Sequence, residues 1–150
     1  MKFHLRFFTV TILSLIITSQ AYAQEKQPTP EERAYTFRTS LFQTFAWKYG
    51  QLVGAKKQND EATFIKHASD LEYLATMLEE GFQIKNSLPE GTAAKPEIWK
   101  DYDTFKKKSE TLKSAANDLT KSGAMADFDA RDFGSKNCGG CHRDFRVKDD

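Results

Sequence analysis

The sequence predicts an all-α fold, an antiparallel up-down-up-down four-helix bundle, and three observations predict it. Apolar residues recur at helical spacing through four stretches of the chain. No stretch shows the strict apolar–polar alternation, bounded by turn dipeptides, that marks a strand. The breaks between the first and second stretches, and between the third and fourth, are short, which makes each pair antiparallel neighbours. Internal repeats and low-complexity segments are absent from the sequence.

The first helix is expected to start after Thr29. Thr29-Pro30-Glu31-Glu32 reads as a capping box with proline at the first helical position. The helix should run to about Gly54. At about 100° per residue, Tyr35, Phe37, Leu41, Phe42, Phe45, Tyr49 and Leu52 share one wide face. Trp47 points away from that face, as a partly exposed surface aromatic or a subunit contact. The second helix should begin near Asn59, an N-cap residue with Asp60 and Glu61 behind it, and end near Gly81. Phe64, Ala68, Leu71, Ala75 and Leu78 repeat at the spacing of a bundle seam. A loop covers roughly 82–95, with Pro89 and Gly91. The third helix opens on Pro96 and Glu97. Its inner stripe is Trp99, Tyr102, Phe105, Ser109, Leu112, Ala116 and Leu119, and Gly123 is its natural stop. The fourth runs from about Met125 to Arg146.

The N-terminus reads as a secretory signal peptide over residues 1–23. Lys2 and Arg6 form the positive region, 7–17 is an apolar run too short to span a bilayer comfortably, and Ala21-Tyr22-Ala23 is a small-x-small cleavage site. Cleavage after Ala23 leaves one domain, residues 24–150, and moves the formal charge from +1 to −1. That balance argues against a nucleic-acid partner, which would call for a clearly basic chain. Cleavage also leaves no segment for stable membrane insertion; the alternative is that the apolar run stays on the chain as an uncleaved anchor.

The only two cysteines stand in Cys138-Gly139-Gly140-Cys141-His142. Cys-x-x-Cys-His is the attachment signature of a c-type haem. On a helix, positions i, i+3 and i+4 share one face, so Cys138, Cys141 and His142 would present two sulfurs and an imidazole to one flat cofactor. Gly139 and Gly140 would each cost about 1 kcal/mol against alanine in a helix interior. Tethering to haem, or the need to keep bulk away from the porphyrin, would justify them. Three other uses of the cysteines fit less well. A thioredoxin-like pair sits in a βαβ unit, and nothing here reads as one. Structural zinc needs four ligands, and the exported chain adds only His67 and His142, at no conventional spacing. A disulfide across so short a loop would add little and leave the adjacent histidine unexplained.

These motifs together resemble the class II c-type cytochromes, the cytochrome c′ family, over nearly the whole exported chain. The C-terminal 138–142 motif, followed by Asp144-Phe145-Arg146, carries most of the resemblance; Lys95-Pro96-Glu97-Ile98-Trp99 and Tyr35-x-x-Arg38 add to it. The resemblance implies one covalent haem c in the core of the bundle and periplasmic localisation in a Gram-negative bacterium. It implies His142 as the sole protein axial ligand, Arg146 flanking the same haem face, and Arg38 near a propionate; a plain surface charge is the other reading of Arg38.

The sixth coordination position decides what such an iron does. Low-spin relatives fill it with a methionine from the first helix. Here that helix has neither methionine nor histidine, and Phe42 stands four residues after Arg38. Phenylalanine cannot ligate iron, so a high-spin, five-coordinate haem is expected, with Phe42 and Phe45 in a crowded apolar distal pocket. His67, one position off the seam of the second helix, reads as a surface or hydrogen-bonded histidine. The resemblance implies a non-enzymatic protein that binds nitric oxide and carbon monoxide, passes single electrons to an unidentified redox partner, or does both; a purely electron-carrying role is the alternative. It also suggests a homodimer through the first two helices.

Overall fold

The computed structural model describes residues 26–85 and 87–148. The expected signal peptide and its cleavage site lie outside these residues. The first helix, α1 (Pro30–Gln58), opens on the expected capping box: Thr29 Oγ1 accepts from the Glu32 amide, and Glu32 returns a bond to the Thr29 amide. It runs four residues past Gly54 because the chain is turned out of it by Asn59, which adopts the left-handed conformation at φ 54°. Asparagine tolerates that region better than most residues. Asp60, one residue beyond the expected cap, therefore starts α2 (Glu61–Thr76) by accepting from the Thr63 amide.

α2 stops at Thr76 rather than Gly81, and a turn and a short 3-10 helix, Glu80–Phe82, follow. The third expected helix is two pieces, α3 (Glu97–Lys100) and α4 (Tyr102–Asp118). They are split at Asp101, whose side chain caps α4 through the Thr104 amide. The fourth is also divided. α5 (Ala124–Asp127) ends where Phe128 turns extended, and Asp129 then caps α6 (Ala130–Phe133). From α6 the chain passes without a break into a π-helical stretch, Gly134–Gly139, and into α7 (Gly140–Phe145). The result is a four-helix bundle, α1, α2, α4 and the composite α6–α7, with no strand among the described residues. One isolated antiparallel bridge, Ala94 to Arg146, ties the loop before α3 to the residues after α7: Lys95 N donates to Phe145 O and Val147 N to Ala93 O.

The wide apolar face of α1 divides in two. Leu41, Leu52 and Ala55 are buried against the seam of α2, where Phe64, Ala68, Leu71 and Ala75 are all buried as expected. Fully burying one of these leucine or phenylalanine side chains stabilises by about 1.5–3 kcal/mol. Phe42, Phe45 and Tyr49 instead face an interior cavity. One packed cluster, of Leu52, Phe64, Phe128 and others, borders it through its members Leu71 and Phe133. A second, of Phe82, Ile98, Phe105 and Phe145, borders it elsewhere.

Trp47 is 58% exposed, and its ring meets His67 edge-on at 6.3 Å. The reading of His67 as a surface or satisfied histidine is corrected. It is buried under Trp47, and its Nδ1, 3.4 Å from Asp70 Oδ2, makes no hydrogen bond of good geometry. A position one step off the α2 seam becomes interior because α1 lays an aromatic side chain over it.

Candidate haem site

The cavity has a volume of about 670 Å³ and a mostly apolar wall. All seven residues singled out in the sequence line it: Arg38, Phe42, Phe45, Cys138, Cys141, His142 and Arg146. The composite fourth helix supplies one wall. Cys138 stands in its π-helical stretch and Cys141 and His142 in the first turn of α7. The two thiols are free and half-buried. α1 supplies the facing wall, where the Phe42 ring lies 6.4 Å from the His142 ring at 66°. Phe45 and Phe82 back Phe42, at 6.2 and 6.5 Å.

Electrostatics at the site favour neutral forms. Burial pushes the Cys138 thiol up, and pushes Cys141 up to about 11 against the pull of Lys108. Exchange enzymes use a thiol lowered toward thiolate, and burial acts here in the opposite direction. Burial, and then Arg146, lowers the pKa of His142, which favours the neutral imidazole, the form with a lone pair to give.

The site fits a haem in three further respects. Gly139 and Gly140 have ordinary helical φ, −62° and −61°. A Cβ on Gly140 would meet nothing within 4 Å, and one on Gly139 only ordinary contact with the Gly134 carbonyl. Neither backbone geometry nor the protein's own packing demands glycine there. Secondly, three polar side chains of the wall are already engaged with the protein: Asn137 Nδ2 donates to Phe133 O, the Tyr49 hydroxyl to Ala130 O, and Thr39 Oγ1 to Tyr35 O. Thirdly, Arg38 is 3% exposed, so the surface-charge reading is overturned. Its Nη1 donates to Gly81 O at 2.8 Å and Ser87 Oγ at 2.6 Å, and its Nη2 to Ser87 O at 2.5 Å. Its guanidinium lies 5.0 Å from the Phe82 ring centroid. No carboxylate among the described residues pairs with it, and burial lowers its pKa. A buried cation without a counter-charge is costly, and an acidic group of a cofactor in this cavity would relieve it.

Sequence reasoning missed Ser87, Gly81, Tyr49 as an anchor, and Lys108, whose Nζ donates to Gly140 O. No local signal marks the Arg38–Ser87 pair, because its members stand 49 residues apart.

The sequence pattern of the family described as Cytochrome C′ matches residues 33–146. The chain belongs to the cytochrome c′ family. It is 28% identical over 144 residues to cytochrome c′ of Rhodospirillum rubrum, covering 87% of this chain and 91% of that protein. It is 32% identical over 133 residues to cytochrome c-554 of Cereibacter sphaeroides, covering 79% and 96%. Among solved structures, a ferrous variant of cytochrome c′ from Alcaligenes xylosoxidans with bound NO superposes at a TM-score of 0.65, with 26% identity, covering 79% of this chain and 97% of that one. Like other cytochromes c′, the protein carries covalently bound haem c, and the cysteine pair at 138 and 141 fits that attachment. No helix among the described residues is long and apolar enough to cross a membrane.

Proposed function

We propose that this cytochrome c′ is a periplasmic haem protein with a high-spin, five-coordinate iron that takes up nitric oxide and carbon monoxide. Cys138 and Cys141 hold the haem, and His142 is its one protein axial ligand. Phe42 and Phe45 form the opposite, distal side, Arg146 flanks the histidine face, and Arg38 meets a propionate from its buried post. Bound there, haem supplies an iron that takes one ligand from the protein and leaves its other face for a diatomic gas or an electron. The observation that carries the reading is the apposition of Phe42 and His142 at 6.4 Å. A side chain that cannot ligate stands where a second ligand would have to come from. No methionine lines the cavity among the described residues, and His142 is its one imidazole. Nitric oxide bound in the Alcaligenes relative supports the choice of ligand. The optical spectra of oxidised and reduced protein, with and without nitric oxide, test it. High-spin spectra in both states and nitric oxide uptake on reduction are expected; a low-spin spectrum with no uptake would defeat the proposal.

Single-electron transfer to a periplasmic partner is compatible with the same site. Rapid oxidation and reduction by a partner, with no gas uptake, would make electron carriage the sole role. The mature chain is residues 24–150, and its intact mass, with one haem added, checks both the cleavage after Ala23 and the attachment. A homodimer through α1 and α2 accounts for Trp47 and Tyr73, which stand 58% and 67% exposed on those helices. Sedimentation velocity measures it.

A further inference from the structure

Lys108 is a polar feature of the cavity wall that haem binding alone leaves unexplained. It stands on α4 beside buried Phe105 and Ser109, lines the cavity, and has a side chain only 29% exposed. An ammonium group in such a wall is costly unless it is paired. Its Nζ donates to the Gly140 carbonyl at 2.7 Å and lies 2.9 Å from Asp144 Oδ2. Gly140 and Asp144 are the two ends of one helical turn, and that turn carries Cys141 and His142.

The turn needs an outside hold. It follows directly on the π-helical stretch, whose hydrogen bonding departs from the α pattern, and it is entered through two glycines, which support a helix poorly. Before the π-helical stretch, the Tyr49 hydroxyl of α1 donates to the Ala130 carbonyl. The haem-carrying segment is thus fastened to α1 at its start and to α4 at the turn of the axial histidine.

We propose that Lys108 is a positioning residue of the haem site: it fixes the 140–144 turn, and with it the presentation of His142 to the iron, while its charge, opposed by Asp144, sets the balance between ferrous and ferric iron. The inference rests on His142 as the axial ligand. A cation beside the haem favours the less positive, ferrous iron, and an anion favours the ferric one. Removing Lys108 leaves Asp144 unopposed, and removing the Asp144 charge leaves Lys108 unopposed, so the two changes act in opposite directions.

The test uses haem-loaded wild type, Lys108→Met, Lys108→Arg and Asp144→Asn. Two quantities are read: the midpoint potential and the iron–histidine stretching band of the ferrous protein in resonance Raman. In Lys108→Met the ferrous-to-ferric ratio at a fixed potential should fall about tenfold, equivalent to ~59 mV for one electron, and the band should shift or broaden. Lys108→Arg, which keeps the charge and the donors, should restore both. Asp144→Asn should raise the ratio and leave the band in place. If Lys108→Met does not load haem, Asp144→Asn decides: a raised ratio supports the proposal and an unchanged one overturns it. Variants indifferent in both readouts, with a normal wild-type band, overturn the role of Lys108 alone. A wild-type protein with no iron–histidine band overturns the assignment of His142 and this inference with it.

Discussion

Replacing Gly81 by alanine strikes the edge of the cavity through Arg38, while leaving the cysteines, His142 and the distal phenylalanines untouched. Gly81 is buried in the Glu80–Phe82 turn. A Cβ there would lie 2.6 Å from Arg38 Cγ and 3.2 Å from Phe37 Cδ1, whereas ordinary contact begins near 3.4 Å. The arginine cannot swing aside freely, because its Nη1 and Nη2 are held by Gly81 O and Ser87. Overpacking of this kind costs about 1–3 kcal/mol. A weakened hydrogen bond from a charged group adds a share of its ~1.5–3 kcal/mol. Alanine returns about 0.5–1 kcal/mol through the smaller backbone entropy of the unfolded chain. The net expectation is a loss of about 2 kcal/mol, or roughly 6–10 °C in Tm for a domain of this size. Gly54→Ala is the matched control. Its Cβ would meet nothing within 4 Å inside α1, so a gain of up to about 1 kcal/mol is expected. Denaturant unfolding of the haem-loaded proteins, followed by far-UV circular dichroism, measures both. A Gly81→Ala protein as stable as wild type would refute the claim that Arg38 is immobilised by its hydrogen bonds.

Phe42→Ala should open the distal side and speed carbon monoxide and nitric oxide uptake about tenfold, some 1.4 kcal/mol of barrier; stopped-flow mixing reads it, and unchanged rates would place the barrier elsewhere. The Asp70 carboxyl is pushed up by burial but held below its usual range by hydrogen bonds from Lys48 and Lys66. A depressed folded pKa stabilises above the unfolded value, about 3.9, and the benefit is lost as pH falls through the folded one. Asp70→Asn should therefore lower Tm at pH 6 and flatten its decline in acid; parallel curves for the two proteins would contradict this. Replacing Cys138 and Cys141 by serine should remove haem that survives denaturing electrophoresis and leave a poorly folded chain. Native-like helicity with a sharp melt would count against a structural role for the cofactor.

What the sequence made legible was what neighbouring residues decide. The Thr29 capping box, the α2 seam and the thiol–imidazole face each depend on side chains within a few positions of one another, and each appears in the structure. The interruptions were misread where a turn-forming residue had two uses. Asn59 suits a helix start as well as the left-handed exit it takes, and Asp101 and Asp129 are caps inside stretches whose apolar spacing continues across them. The π-helical stretch leaves no mark in apolar spacing, since a widened turn alters which carbonyl is reached and not which residues are oily. The tethering of Arg38, the burial of His67 and the grip of Lys108 all depend on partners from other elements.

The bridge between Ala94 and Arg146 has a consequence for the order in which the molecule can be completed. α1 and α2 are sequence neighbours that close on each other across a short turn, an inexpensive loop to form and one available early. The cavity needs Phe42 and His142 together, a hundred residues apart, and its rim is sewn shut only when Val147 reaches Ala93. A chain shortened to end before Arg146 would keep both cysteines and the histidine yet lose that last stitch. The contacts that complete the pocket join residues far apart in the chain, and residues 145–147 supply those at its rim.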